Sequence, residues 1–204
     1  MKTLNKYLMQ SIKFSQNENI LERLKLNKDA KLKYICPKDK KELSDIIEKE
    51  LRTNPNNIGD GIVDLNFIDT SQIIDMSKLF SKLAYDNDNR IVNIDISGWD
   101  VSKVEDMHAM FASTCKYLKT TGDLGKWKLN KLENSSYMFL DCVNLINIGD
   151  ISNWKLDNLK KSACMFSGTK RLKTVGDITQ WKLPDPNWNV FQFSEIEPQP
   201  IKRP

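Results

Sequence analysis

Apolar and polar positions along this chain follow an ungapped phrase of seventeen residues that occurs five times. It opens at Asp64, Asp95, Asp123, Asp150 and Asp177 and closes at Phe80, Phe111, Phe139, Phe166 and Phe193. The clearest copies read DISGWDVSKVEDMHAMF, DLGKWKLNKLENSSYMF and DISNWKLDNLKKSACMF. The openings are spaced 31, 28, 27 and 27 residues apart. A fixed period in this range predicts units that bury their apolar faces only against their neighbours.

Each column of the phrase has a physical reading. Its fifth position is Ile68, Trp99, Trp127, Trp154 and Trp181, and two residues on come Thr70, Val101, Leu129, Leu156 and Leu183. A spacing of two puts both side chains on one face of a short strand and turns Asp69, Asp100, Lys128, Lys155 and Lys182 to the other. Stacked repeats would then form a parallel sheet with a tryptophan ladder inside, which supplies buried area rather than a ligand platform. The next position, Ser71, Ser102, Asn130, Asp157 and Pro184, is a strong helix cap in four copies. Ser102 and Glu105 form a capping box, and Asn130 and Glu133 resemble one. A short helix is therefore expected in each repeat, with Val104, Met107 and Phe111 or Leu159, Ala163 and Phe166 on its apolar face. Beyond it, apolar residues come three apart, as in Leu145, Ile148, Ile151 and Trp154. Gly122, Gly149 and Gly176 precede the opening Asp and permit a tight bend.

The string D-I-x-x-W-x-V-x-x-V-x-x-M-x-x-M-F resembles the BspA-like leucine-rich-repeat family, found in bacterial and mycoplasma surface proteins and in phages of gut bacteria. The likeness covers residues 64–193 and is best in the second copy. The stretch LKLNKDAKLKYICPKDKKELSDIIEKEL resembles the leader of phage-encoded members. The resemblance implies an α/β fold: a leucine-rich-repeat-like solenoid with short parallel strands, one short helix per repeat and an N-terminal strand-helix cap. It implies binding and no catalytic residues.

Four segments follow. Residues 1–26 carry an apolar stripe, Leu4, Leu8 and Ile12, and read either as a helix packed on the cap or as a docking peptide. Residues 27–63 are the cap, with a strand over 30–36 and a helix over 38–52 whose face is Leu43, Ile46, Ile47 and Leu51. Residues 64–193 hold the repeats. The fifth is degenerate and capping, with Trp188, Phe191 and Phe193 available to cover the last unit. Residues 194–204 are a Pro-rich tail expected to be disordered.

Composition narrows the function classes. Hydrophobic content of 40% supports a core, and no apolar run approaches the ~20 residues of a membrane helix. The first residues make a poor signal peptide, which favours a cytoplasmic or virion-associated protein. Net charge is +4, but it is unevenly spread. Residues 64–111 carry 4 basic and 9 acidic side chains, and residues 112–183 carry 12 and 6. One end of the array therefore suits an anionic partner.

Candidate chemistry is sparse. There is no phosphate-binding glycine loop and no HExxH. His108 is the one histidine, read as a helix surface position rather than an acid–base group. The opening Asp column is read as turn acceptors rather than a Ca²⁺ ladder. Cys36, Cys115, Cys142 and Cys164 show no CxxC spacing; Cys115 and Cys142 fall on adjacent units as buried thiols or as a disulfide. No catalytic, cofactor or metal residues are assigned. The column Lys128, Lys155 and Lys182, with Lys126 beside it and Asp69 and Asp100 beginning it, reads either as a solvated face or as the contact for a partner. Three functions compete: a non-enzymatic protein-recognition module, a phage or virion accessory protein tethered by its N-terminal peptide, and a binder of an acidic protein or nucleic acid through the basic half. Nucleic acid is the weaker version, since no aromatic is interleaved with the lysines.

Overall fold

Helix α1, Lys40–Thr53, begins where Asp39 accepts the Glu42 N–H at 2.9 Å and the Glu42 carboxylate reaches back to the Lys38 N–H at 2.8 Å. It buries Leu43, Ile47 and Leu51, keeps Ile46 half-buried, and stops at Asn54. This computed structural model describes residues 35–54, 61–81, 93–112, 117–184 and 187–196. The chain divides into two compact units, Met1–Lys33 and Tyr34–Pro204. The first, with the expected peptide over 1–26, lies outside the described residues, as does most of the tail.

Successive repeats lie against one another in parallel register. Strand β1, Val63–Asp64, pairs with β2, Ile94–Asp95. Single parallel bridges extend the pattern along two columns: Asn93, Thr120 and Asn147 on one, and Asp75, Asp106, Asn134 and Lys161 on the other. Along the second column each repeat donates three N–H groups forward. Met76, Lys78 and Phe80 donate to the carbonyls of Asp106, His108 and Met110 at 2.8, 2.8 and 2.9 Å. Met107, Ala109 and Phe111 then donate to Asn134, Ser136 and Met138, and Ser135, Tyr137 and Phe139 to Lys161, Ala163 and Met165. Ile35 joins the first repeat by a parallel bridge to Ile68.

Two expectations are corrected here. The segment after each capping residue is not a helix: among the described residues, 102–111 and its equivalents are successive turns. Val104 N–H bonds to Val101 and Met110 N–H to Met107, each three residues back. Glu105 N–H, which a helix would turn inward, donates to Ile74 of the previous repeat at 2.8 Å. Turns of three and a helix of 3.6 place apolar residues at nearly the same spacing over ten residues, so the sequence pattern did not separate them. The parallel pairing also falls on either side of the Trp-x-Leu stretch rather than along it. The tryptophans instead close turns, Trp99 N–H bonding to Ile96 and Trp154 N–H to Ile151.

The core consists of aligned columns. Phe80, Phe111, Phe139 and Phe166 are fully buried, and their rings stack at 4.9, 5.1 and 5.3 Å with interplanar angles of 5–8°. These separations are close to the ~4.8 Å between neighbouring strands, because the rings ride on the backbone ladder. Trp127, Trp154 and Trp181 stack likewise at 6.4 and 5.9 Å. The indoles of Trp99, Trp127 and Trp154 each donate to a carbonyl of the preceding repeat, Leu65, Ile96 and Leu124. The buried Trp181 indole N–H has no acceptor.

The last rung differs from the sequence reading. Helix α2, Asn187–Val190, supplies the missing pairing surface: Phe166 N–H donates to Val190 at 2.8 Å and Cys164 N–H to the Asn189 side chain at 2.9 Å. Phe191, not Phe193, continues the ring column, stacked on Phe166 at 5.5 Å. Phe193 is 75% exposed. Cys142 is disulfide-bonded, not the buried thiol favoured from sequence; Cys36 and Cys164 are not in disulfides, and Cys115 lies outside the described residues.

The glycine before the opening Asp of the third, fourth and fifth repeats is required twice over. Gly149 has φ +83°, and a Cβ there would overlap the Asp123 carboxylate of the preceding repeat. Gly149→Ala is therefore expected to cost about 2–3 kcal/mol, read as a lower denaturation midpoint; an unchanged midpoint would show that the corner is not fixed. Phe139→Ala, between two stacked rings, should cost about 3–5 kcal/mol in the same assay, and a loss below 1 kcal/mol would mean that the column repacks.

Candidate functional site

Corners of the repeats are built by Asx side chains. Asp64, Asp95, Asp123, Asp150 and Asp177 each accept the backbone N–H two residues on, at 2.9–3.0 Å. This is the turn role expected for the opening column. The same device recurs at Asp75, Asp106 and Asn134, which accept from Ser77, His108 and Ser136 at 2.7, 2.6 and 3.1 Å.

The third Asx position is the start of the expected docking column. Asp69 accepts the Ser71 N–H at 3.0 Å and Asp100 the Ser102 N–H at 2.9 Å. Asp69 also accepts the Cys36 thiol at 2.9 Å. That thiol bond, then the Ser71 amide, hold the Asp69 carboxyl below its usual range, and Ser102 does the same for Asp100. The bond to Asp69 pushes the Cys36 thiol up, away from its nucleophilic form. These two carboxylates are engaged in their own turns. Lys128, Lys155 and Lys182 occupy the same column in the next three repeats, and a lysine cannot accept an amide. All three are exposed, as is Lys126. The column is thus sign-segregated: inward-engaged carboxylates first, free ammonium groups after.

A second feature was not anticipated. One position of each repeat has a left-handed backbone without glycine: Lys78 (φ 56°), Ala109 (51°), Tyr137 (61°) and Cys164 (53°). Beside this line runs an open groove of about 570 Å³ that crosses four repeats. Lys78 lies at one end, Lys160 and Lys161 at the other, and Asp106, His108 and Tyr137 between. His108 meets Tyr137 edge-on at 5.5 Å. The groove is open, not the enclosed pocket that would have argued for catalysis at His108. A groove-facing side chain on a left-handed corner leaves no signature in one sequence, because Lys, Ala, Tyr and Cys share no chemistry.

The family comparison follows the boundaries of this architecture. A family model, described as a Mycoplasma protein of unknown function, DUF285, matches residues 51–181. The chain belongs to the DUF285 family. Its matched span runs from the end of α1 through the last tryptophan of the column, more than half of the chain. DUF285 is related to the BspA-like repeat proteins. No curated protein and no solved structure matches the chain. Among the described residues of this DUF285 chain no helix is long and apolar enough to cross a membrane.

The Asx carboxylates tie folding to pH. Asp69, Asp100, Asp150 and Asp177 all titrate below their ordinary value of 3.8, chiefly through hydrogen bonds to them. Their folded form binds protons less readily than the unfolded chain, so their contribution is complete above about pH 4 and is lost as pH falls through the lowered values. Stability should be flat from neutrality to about pH 5 and fall steeply below about pH 4. Asp100→Asn, which keeps the acceptor without the titration, should soften that fall; an unaltered acid limb in urea titrations would remove Asp100 from the account.

Proposed function

We propose that this DUF285 chain is a leucine-rich-repeat-like, α/β solenoid of the BspA-like type and a non-enzymatic protein-recognition module. The observation that carries the reading is the exposed column of Lys128, Lys155 and Lys182. The three lysines hold equivalent positions of successive repeats, on the coils that make up the basic half of the array. Three like charges in succession, beyond an Asp100 whose carboxylate is engaged by Ser102, are suited to an acidic protein surface. Asp69 and Asp100 serve their turns, which narrows the contact to the lysines with Lys126 at their edge. Repeats that bury their apolar faces against one another and present a broad open surface suit binding of another macromolecule. The virion-tether alternative rests on residues 1–26, which lie outside the described residues.

The test is a triple charge reversal. Proteins retained by the immobilised wild type at physiological salt are identified, and the affinity of a purified one is measured against the K128E/K155E/K182E variant. Affinity should fall at least about tenfold and its salt dependence should flatten. Equal affinity and equal salt dependence would sink the reading.

A further inference from the structure

The groove beside the left-handed corners is separate from the lysine column and has its own charge pattern. Lys160 is neutralised by Glu133 at 2.8 Å. Lys40, next to the first repeat, is neutralised by Asp75 at 3.0 Å. Lys78 and Lys161 line the groove, and among the described residues neither has an ion-pair partner. They belong to the first and fourth repeats, three ladder steps of ~4.8 Å apart along the array, and Lys161 lies three residues before Cys164, the equivalent of Lys78, so the line between them crosses the groove obliquely. Between them the floor changes sign. The Asp106 carboxylate accepts the His108 N–H and the Asn134 side-chain amide and still has lone pairs to offer. Ser77 and Ser136 add hydroxyls, and Tyr137, 37% exposed, presents part of its ring.

A ligand for this surface must carry negative charge at both ends and hydrogen-bond donors in the middle. A phosphate backbone does not qualify, because it would set a phosphate over Asp106. An extended peptide does: five residues span about 17 Å, its amides are the donors that Asp106 accepts, and acidic side chains at its first and fifth positions lie on one face of the strand and reach the two lysines. We infer that the groove is a second recognition site, for an extended peptide segment with acidic residues four apart. The inference goes beyond the lysine-column reading and does not depend on which partner that column meets.

Titration of the full chain with acetyl-Glu-Ala-Ala-Ala-Glu-amide at low ionic strength, followed by amide chemical shifts, tests it. Saturable shifts centred on Ser77, His108, Ser136 and Tyr137 are expected. Acetyl-Gln-Ala-Ala-Ala-Gln-amide should bind roughly tenfold more weakly, and so should K78A/K161A with the acidic peptide, since two exposed charge pairs together are worth about one decade. Both substitutions are at exposed positions, and matching thermal melts would show that the fold is intact. The K128E/K155E/K182E variant should bind this peptide as the wild type does. If that variant loses the peptide and K78A/K161A keeps it, the groove assignment fails while the lysine-column reading stands. Absence of saturable shifts in the groove would overturn the inference. Inorganic phosphate binding as tightly as the acidic peptide would also overturn it, reducing the groove to a simple anion site.

Discussion

Everything in this molecule is set by the distance between one repeat and the next. Parallel backbone pairing fixes that step near 4.8 Å, and each repeat donates three N–H groups across it. Whatever occupies a given position is then repeated at the same interval, whether it is a ring, a carboxylate or an ammonium group. Flat aromatic side chains fill such a step well, which is why the phenylalanines stack at 4.9–5.5 Å without spare volume. Charges fill it badly unless they are tied down. The chain ties its carboxylates into corners and lets its lysines extend into solvent, where long side chains can diverge.

Much of this was legible in the sequence. The Trp and Phe columns, the glycine bends, the turn role of the opening Asp and the face of α1 follow from spacing and from what each residue type can do. What was not legible has a common cause. Turns closed every three residues and helices of 3.6 residues per turn give the same short pattern, so Val104, Met107 and Phe111 looked helical. What decides between them is where the backbone N–H of Glu105 goes, and that depends on the neighbouring repeat, a long-range fact. The same holds at the end of the array, where Phe191 rather than Phe193 takes the ring position because α2 must first present Val190 to Phe166. The groove was invisible for another reason: it is assembled from four repeats at positions whose residues are dissimilar.

The sign change along the array ties architecture to recognition. In the early repeats the docking column is part of the turns, and its carboxylates are occupied by Ser71, Ser102 and Cys36. In the later repeats the column has been released from that duty. Asn130 and Asp157 occupy the position two residues on, and the backbone bond that closes the turn in every one of these repeats, Val104 N–H to Val101 or Leu132 N–H to Leu129, stands there without the carboxylate's help. The surface that is free to bind is thus the surface that folding no longer needs.

The left-handed corner carries a consequence for how such a chain can change over generations. A glycine there would be the easiest solution, yet four repeats hold Lys, Ala, Tyr and Cys. The forward hydrogen bond from that residue's amide holds the conformation whatever the side chain is, so every unbranched residue meets about the same conformational cost, roughly 1–2 kcal/mol. Val, Ile and Thr meet a higher one. Substitution at Lys78 or Tyr137, the two such positions that line the groove, therefore alters what the groove displays while leaving the register of the array untouched; the buried Ala109 has no such freedom.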